Sequence, residues 1–103
     1  MKYGLSNTTL EEILAVFREN SHVEEVILFG SRAKGTYRPG SDIDLAVKGK
    51  DLTFQEFIKL LVKLDELEIL YKIDAINYQT IKSQELLDHI SRVGVSLLQT
   101  AAP

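Results

Sequence analysis

Residues 30–44, GSRAKGTYRPGSDID, constrain this chain more than any other stretch. They leave one short apolar run, VILF at 26–29, and enter another, LAV at 45–47. Runs this short, rich in branched residues and bounded by polar ones, fit buried strands better than helices. The chain must therefore pass from strand to strand through a segment that begins Gly30-Ser31 and ends Asp42-Ile43-Asp44, with ten residues between Ser31 and Asp42. A strand that runs through Gly into a helix start offers backbone N–H groups to an anion. Ser31 is a suitable N-cap for a short helix through Arg32, Ala33 and Lys34, with Gly35 as its stop. Arg38-Pro39-Gly40-Ser41 reads as a turn. Arg32, Lys34 and Arg38 put three positive charges in the segment, and together these suit a polyphosphate.

At the far end of the segment the pattern changes to alternation. In a strand Asp42 and Asp44 face one way, and Ile43, Leu45 and Val47 the other. Same-face neighbours lie about 6.5–7 Å apart, so two carboxylates can converge on a cation between them. Two like charges so close are costly without a counter-ion. A third carboxylate, Asp74, is centred in the strand-like run ILYKIDAINY at 69–78, on one face with Lys72 and Ile76 and opposite Ile73 and Ala75. A charged residue in such a run is rare unless it is paired or holds metal.

The other segments read as packing elements. Thr8 and Glu11 make a capping box for an amphipathic helix carrying Leu10, Ile13, Leu14 and Phe17 and ending near Asn20. Thr53 and Glu56 make a second, ahead of Phe54, Phe57, Ile58, Leu61 and Val62. That helix is apolar enough to be packed on more than one side, or to face a partner. Ser83 caps a last helix with Leu86, Leu87, Ile90 and Val93, stopped by Gly94, and residues 95–98 read as a short closing strand or as continued helix. His22 and His89 read as structural or solvated, and the tail from Gln99 to Pro103 as frayed.

Composition narrows the function classes. With 103 residues, 45% hydrophobic, the chain can build one domain over 1–103 and one core, without a separate substrate lobe. Twelve Lys and Arg against fifteen Asp and Glu give a net charge of −3 and no basic stripe, which argues against a nucleic-acid footprint. The absence of Cys excludes thiol and disulfide chemistry, and two scattered His do not suit a zinc site. No leader-like or membrane-length apolar run is visible, so a cytoplasmic protein is expected.

The compound pattern, GSRAKG followed by GSDIDLAV and later IDAINY, closely resembles the minimal nucleotidyltransferases of the DNA-polymerase-β-like superfamily. The resemblance covers most of the chain. It implies an α/β (α+β) palm-like fold, with a small mixed sheet of three to four strands and helices mainly on one face, the site lying on the open face. It implies that Gly30 and Ser31, with Arg32 beside them, hold the phosphates of ATP. It further implies that Asp42 and Asp44 bind two Mg²⁺ ions, and that Asp74 completes the metal site and accepts a proton. Minimal relatives commonly stand beside a small all-helical HEPN-type partner. The implied activity is therefore transfer of AMP from ATP to an acceptor hydroxyl, a partner tyrosine, by an antitoxin of the type VII kind. Two other readings remain open: an antitoxin that acts by binding alone, and the catalytic subunit of an enzyme modifying a small, aminoglycoside-like molecule. A homo-oligomer or hetero-complex is expected in each case.

Overall fold

The apolar spacing from Leu10 onward becomes helix α1, Asn7–Arg18, in the computed structural model, which describes residues 1–100. Its cap differs from the capping box expected at Thr8. Ser6 takes the N-cap and accepts from the Thr9 amide at 3.1 Å, while Glu11 pairs with Arg18 at 2.9 Å. A serine two residues upstream satisfies the first-turn donors, so the helix starts earlier. Strand β1, Glu25–Phe29, runs directly into the short helix α2, Gly30–Lys34. Strand β2, Ile43–Lys48, follows the loop, and helix α3, Phe54–Asp65, opens with the expected Thr53–Glu56 capping box. Strand β3 is shorter than the apolar run suggested, Ile73–Asn77, and ends in a single 3-10 turn. Helix α4, Gln84–Val93, is capped by Ser83 and ends at Gly94, which passes straight into strand β4, Val95–Gln99.

The four strands make one mixed sheet in the order β3-β2-β1-β4. Strand β1 is antiparallel to β2 and β4, and β2 is parallel to β3, joined through α3. The closing strand extends further than expected. Gln99 still pairs with Glu25, and the Thr100 amide donates to the Glu24 carbonyl at 2.9 Å; the rest of the expected frayed tail, residues 101–103, lies outside the described residues.

Alternation along the strands decides which face is buried under which helix. Val26, Leu28, Ile43, Leu45 and Val47 pack with Leu10, Ile13, Val16 and Phe17 of α1 and Phe57, Leu60 and Leu64 of α3. Each such buried side chain contributes about 1.5–3 kcal/mol. The opposite face is partly covered, where the expectation was an open one: Phe29 and Ala46 pack with Ile90 of α4, supported by Ile27, Ile76 and Leu86. The apolar outer residues of α3 are not packed on a second side either. Phe54, Ile58 and Val62 are 70%, 40% and 53% exposed. Among the described residues no helix is long and apolar enough to cross a membrane.

Candidate active site

The end of β1 is a corner that only glycine fits. Gly30 has φ +74°, and a Cβ on it would run into the Asp44 carboxylate. The two backbones can therefore approach closely, with Phe29 and Asp44 paired in register. Helix α2 begins here, two residues earlier than a Ser31 cap implied. Phe29 occupies the N-cap and makes no side-chain capping bond, so Ser31 sits in the first turn with its hydroxyl. Gly35, at φ +83°, ends the helix as expected.

Asp44 lies opposite Phe29 on one side and opposite Asp74 on the other. Adjacent strands are about 4.8 Å apart, so the Asp44 and Asp74 side chains leave the same sheet face as neighbours. Asp42 lies in the loop just ahead of β2, two residues before Asp44. Asp44 is half-buried, Asp42 and Asp74 exposed. Burial raises the Asp44 carboxyl above its ordinary pKa, the negative charges of Asp74 and then Asp42 raise it further, and a protonated His89 would pull the other way. None of the ion pairs among the described residues involves these three aspartates.

The donor set is all oxygen, which fits a hard divalent cation such as Mg²⁺. Among the described residues no three His, Asp or Glu side chains stand close enough to form a cage by themselves. That also suits Mg²⁺, which is commonly held by one or two carboxylates with waters and substrate phosphates filling the other positions. Asp74 also borders a groove of about 580 Å³ between β3 and the end of α3, with Leu61, Val62, Leu67, Ile69 and Tyr71 on its walls.

Of the three cations in the segment, Lys34 and Arg38 are exposed, and Arg32 is only 2% exposed. The Arg32 guanidinium donates to the Ser41 carbonyl from Nη2 at 2.8 Å and Nε at 3.2 Å, and to the Tyr3 carbonyl from Nη1 at 2.9 Å. The faces of Tyr71 and Tyr37 lie 4.9 Å and 5.4 Å from it. Its side chain thus ties α2 to the residue immediately before Asp42, and the expected turn closes below it with Ser41 N–H donating to the Arg38 carbonyl at 2.9 Å. Sequence reasoning grouped Arg32 with the phosphate cradle by proximity alone. Of its partners, Ser41 lies nine positions away and Tyr3 twenty-nine, and no local pattern announces them.

His89, expected to be structural or solvated, stands against the site. Its Nε2 accepts the Gly30 N–H at 3.2 Å, and its ring meets Phe29 edge-on at 6.0 Å. The other histidine has the structural part expected of it: His22 Nδ1 lies 2.9 Å from the Glu56 carboxylate.

Solved structures resemble this fold. A mutant MntA toxin–antitoxin complex matches with TM-score 0.69 and 28% identity over 93% of this chain and 74% of that one. A toxin–antitoxin structure with AMP-PNP matches with TM-score 0.65 and 27% identity over 88% and 73%. The Shewanella oneidensis complex of a tri-AMPylated HEPN toxin with its MNT antitoxin, at 22% identity and TM-score 0.62 over 93% and 74%, shares the fold. No curated protein matches the chain. The family model of the Polymerase beta nucleotidyltransferases matches residues 11–102, nearly the full length, and the chain belongs to that family.

Proposed function

We propose that this protein is an Mg²⁺-dependent nucleotidyltransferase that moves AMP from ATP to a hydroxyl, a tyrosine of a small all-helical HEPN-type partner, and so acts as an antitoxin. The observation that carries the reading is the Asp44–Asp74 register pair beside Gly30, with Asp42 two residues before Asp44. The structural neighbours lend the partner and the nucleotide: one contains AMP-PNP, another an AMPylated HEPN toxin.

The chain's own groups divide the work. The Ser31 hydroxyl and the Ser31 and Arg32 amides take phosphate oxygens at the start of α2, the Arg32 side chain being engaged elsewhere. Asp42 and Asp44 hold the cations, with Asp74 completing the set. Bound Mg²⁺ supplies Lewis-acid stabilisation of the charge that builds on the phosphates. The acceptor oxygen attacks the α-phosphorus in line, the bond from that phosphorus to the bridging oxygen breaks, and pyrophosphate leaves. The Asp74 carboxylate, exposed at the sheet edge, takes the hydroxyl proton.

The test is transfer of label from α-³²P-ATP with Mg²⁺, using the chain with and without any small protein found to co-purify with it. Label on a partner tyrosine, lost in Asp42→Asn, is the expected result. A tight complex without label on any protein would replace transfer by neutralisation through binding.

A further inference from the structure

The His89 imidazole approaches the candidate site from α4, an element that the transfer chemistry above does not use. Leu86, Ile90 and Val93 seat α4 on Phe29 and Ala46, which fixes the helix over the end of β1. His89, one residue before the buried Ile90, is thereby turned onto the β1–α2 corner, edge-on to Phe29 at an interplanar angle of 83°. Its Nε2 accepts the Gly30 N–H. A ring nitrogen that accepts carries no proton, so the neutral ring holds its proton on Nδ1. On the same glycine, the Asp44 carboxylate fills the space that a Cβ would take. Gly30 is therefore in touch with both Asp44 of β2 and His89 of α4.

Gly30 has no side chain to hold its left-handed conformation, and glycine is the residue with most freedom to leave it. A hydrogen bond from outside the corner removes that freedom. We infer that His89 is a positioning residue of the transfer site: by accepting the Gly30 amide it holds the β1–α2 corner against Asp44, which fixes the Asp44 rotamer and the aim of Ser31. The inference rests on the nucleotidyl-transfer reading above, and it makes α4 part of the active-site scaffold.

The experiment uses the full chain, with the HEPN-type acceptor protein of the proposed reaction, and two variants. His89→Ala removes the acceptor; His89→Gln keeps an oxygen that can accept from the Gly30 amide and guards against a variant that merely packs badly. Nitrogen-15 spectra should show the Nδ1–H tautomer in the unmodified chain. Gly30 amide exchange should quicken up to about tenfold in His89→Ala, the scale of one lost hydrogen bond, and return in His89→Gln. The kcat for label transfer should fall about ten- to a hundredfold in His89→Ala with the KM for ATP little changed, as expected for a misplaced catalytic group.

An Nε2–H tautomer, or Gly30 exchange unchanged in His89→Ala, would overturn the inference. Tighter ATP binding in His89→Ala with kcat intact would overturn it as well, because His89 would then be competing with phosphate for the amide. The two possible failures are separable. Unchanged Gly30 exchange with transfer intact removes the role of His89, whereas no transfer by the unmodified chain removes the reading on which it rests.

Discussion

Two acidic corners of this molecule treat their carboxylates in opposite ways. At the start of α3, Glu56 accepts from the Thr53 amide, from Asn20 Nδ2 and from His22, each at about 2.9 Å. Led by the Thr53 backbone bond, these partners lower its pKa from 4.5 to about 2. At the end of β1, Asp44 meets burial and two further carboxylates, and its pKa rises. Glu56 joins the α1–β1 connection to α3 and is complete as it stands. Asp44 stands among like charges, which a bound cation would offset. The contrast is between a carboxylate whose donors lie within the chain and one that, in the proposed reading, receives them from a ligand.

Exchanging the two charges for amides should break the symmetry in opposite directions. Asp44→Asn is expected to lower label transfer by about 10²–10³-fold, the scale of losing one preorganised electrostatic group, while Glu56→Gln leaves transfer within about twofold. A large loss in Glu56→Gln at a temperature where it is folded would erase the distinction. In thermal melts without metal the order should reverse, with Asp44→Asn melting at or slightly above the unmodified chain, and Glu56→Gln several degrees below it.

Arg32 sharpens the contrast from the stability side, since it is a buried cation satisfied by carbonyls and aromatic faces. Arg32→Ala leaves the Tyr3 and Ser41 carbonyls without their donor and should cost about 2–4 kcal/mol in denaturant unfolding. Loss of less than about 1 kcal/mol would show that the loop before Asp42 holds itself.

The smallest effect is the pH dependence of the Glu56 corner. Glu56 is depressed in the folded state, so its contribution is present above its ordinary value of 4.5 and is lost as pH falls toward 2. His22 is raised above 6.5, chiefly by its hydrogen bond to Glu56, so its contribution is full below that value and is lost as pH rises through the folded one. The melting difference between the unmodified chain and Glu56→Gln should therefore peak between those limits. It should vanish toward strong acid, and shrink on the alkaline side to what the capping box supplies. A difference that does not change with pH would remove His22 from the corner.

The parts of this structure that the sequence displays are those set by local pattern. Alternation around Asp42-Ile43-Asp44 assigns a face, because the side-chain period of a strand is two. The Thr53 capping box and the Gly35 stop are readable because cap and helix lie within a few residues of each other. The register that sets Asp74 opposite Asp44 is not local: the β2–β3 pairing is made across α3. Two side chains escaped for that same reason. Arg32 finds Tyr3 twenty-nine positions away, and His89 finds Gly30 fifty-nine away. One looked like a phosphate ligand because of its neighbours, and the other looked ordinary because its neighbours in sequence are not its neighbours in space. At α1, two adjacent cap signals competed and the upstream Ser6 prevailed. Whole-chain apolarity of α3 overstated its packing, since hydrophobic count carries no information on which face meets the core.

The central claim is that Asp42, Asp44 and Asp74 hold divalent cations against a nucleotide, and one diffraction experiment addresses it directly. Crystals of the chain with Mn²⁺ and a non-hydrolysable ATP analogue would give an anomalous map in which the cation is seen by itself. The expected result is an anomalous peak within bonding distance of Asp42 and Asp44 and of the triphosphate, with the terminal phosphates at Ser31. Nucleotide bound with no Mn²⁺ at the aspartates, or Mn²⁺ on another surface, would contradict it.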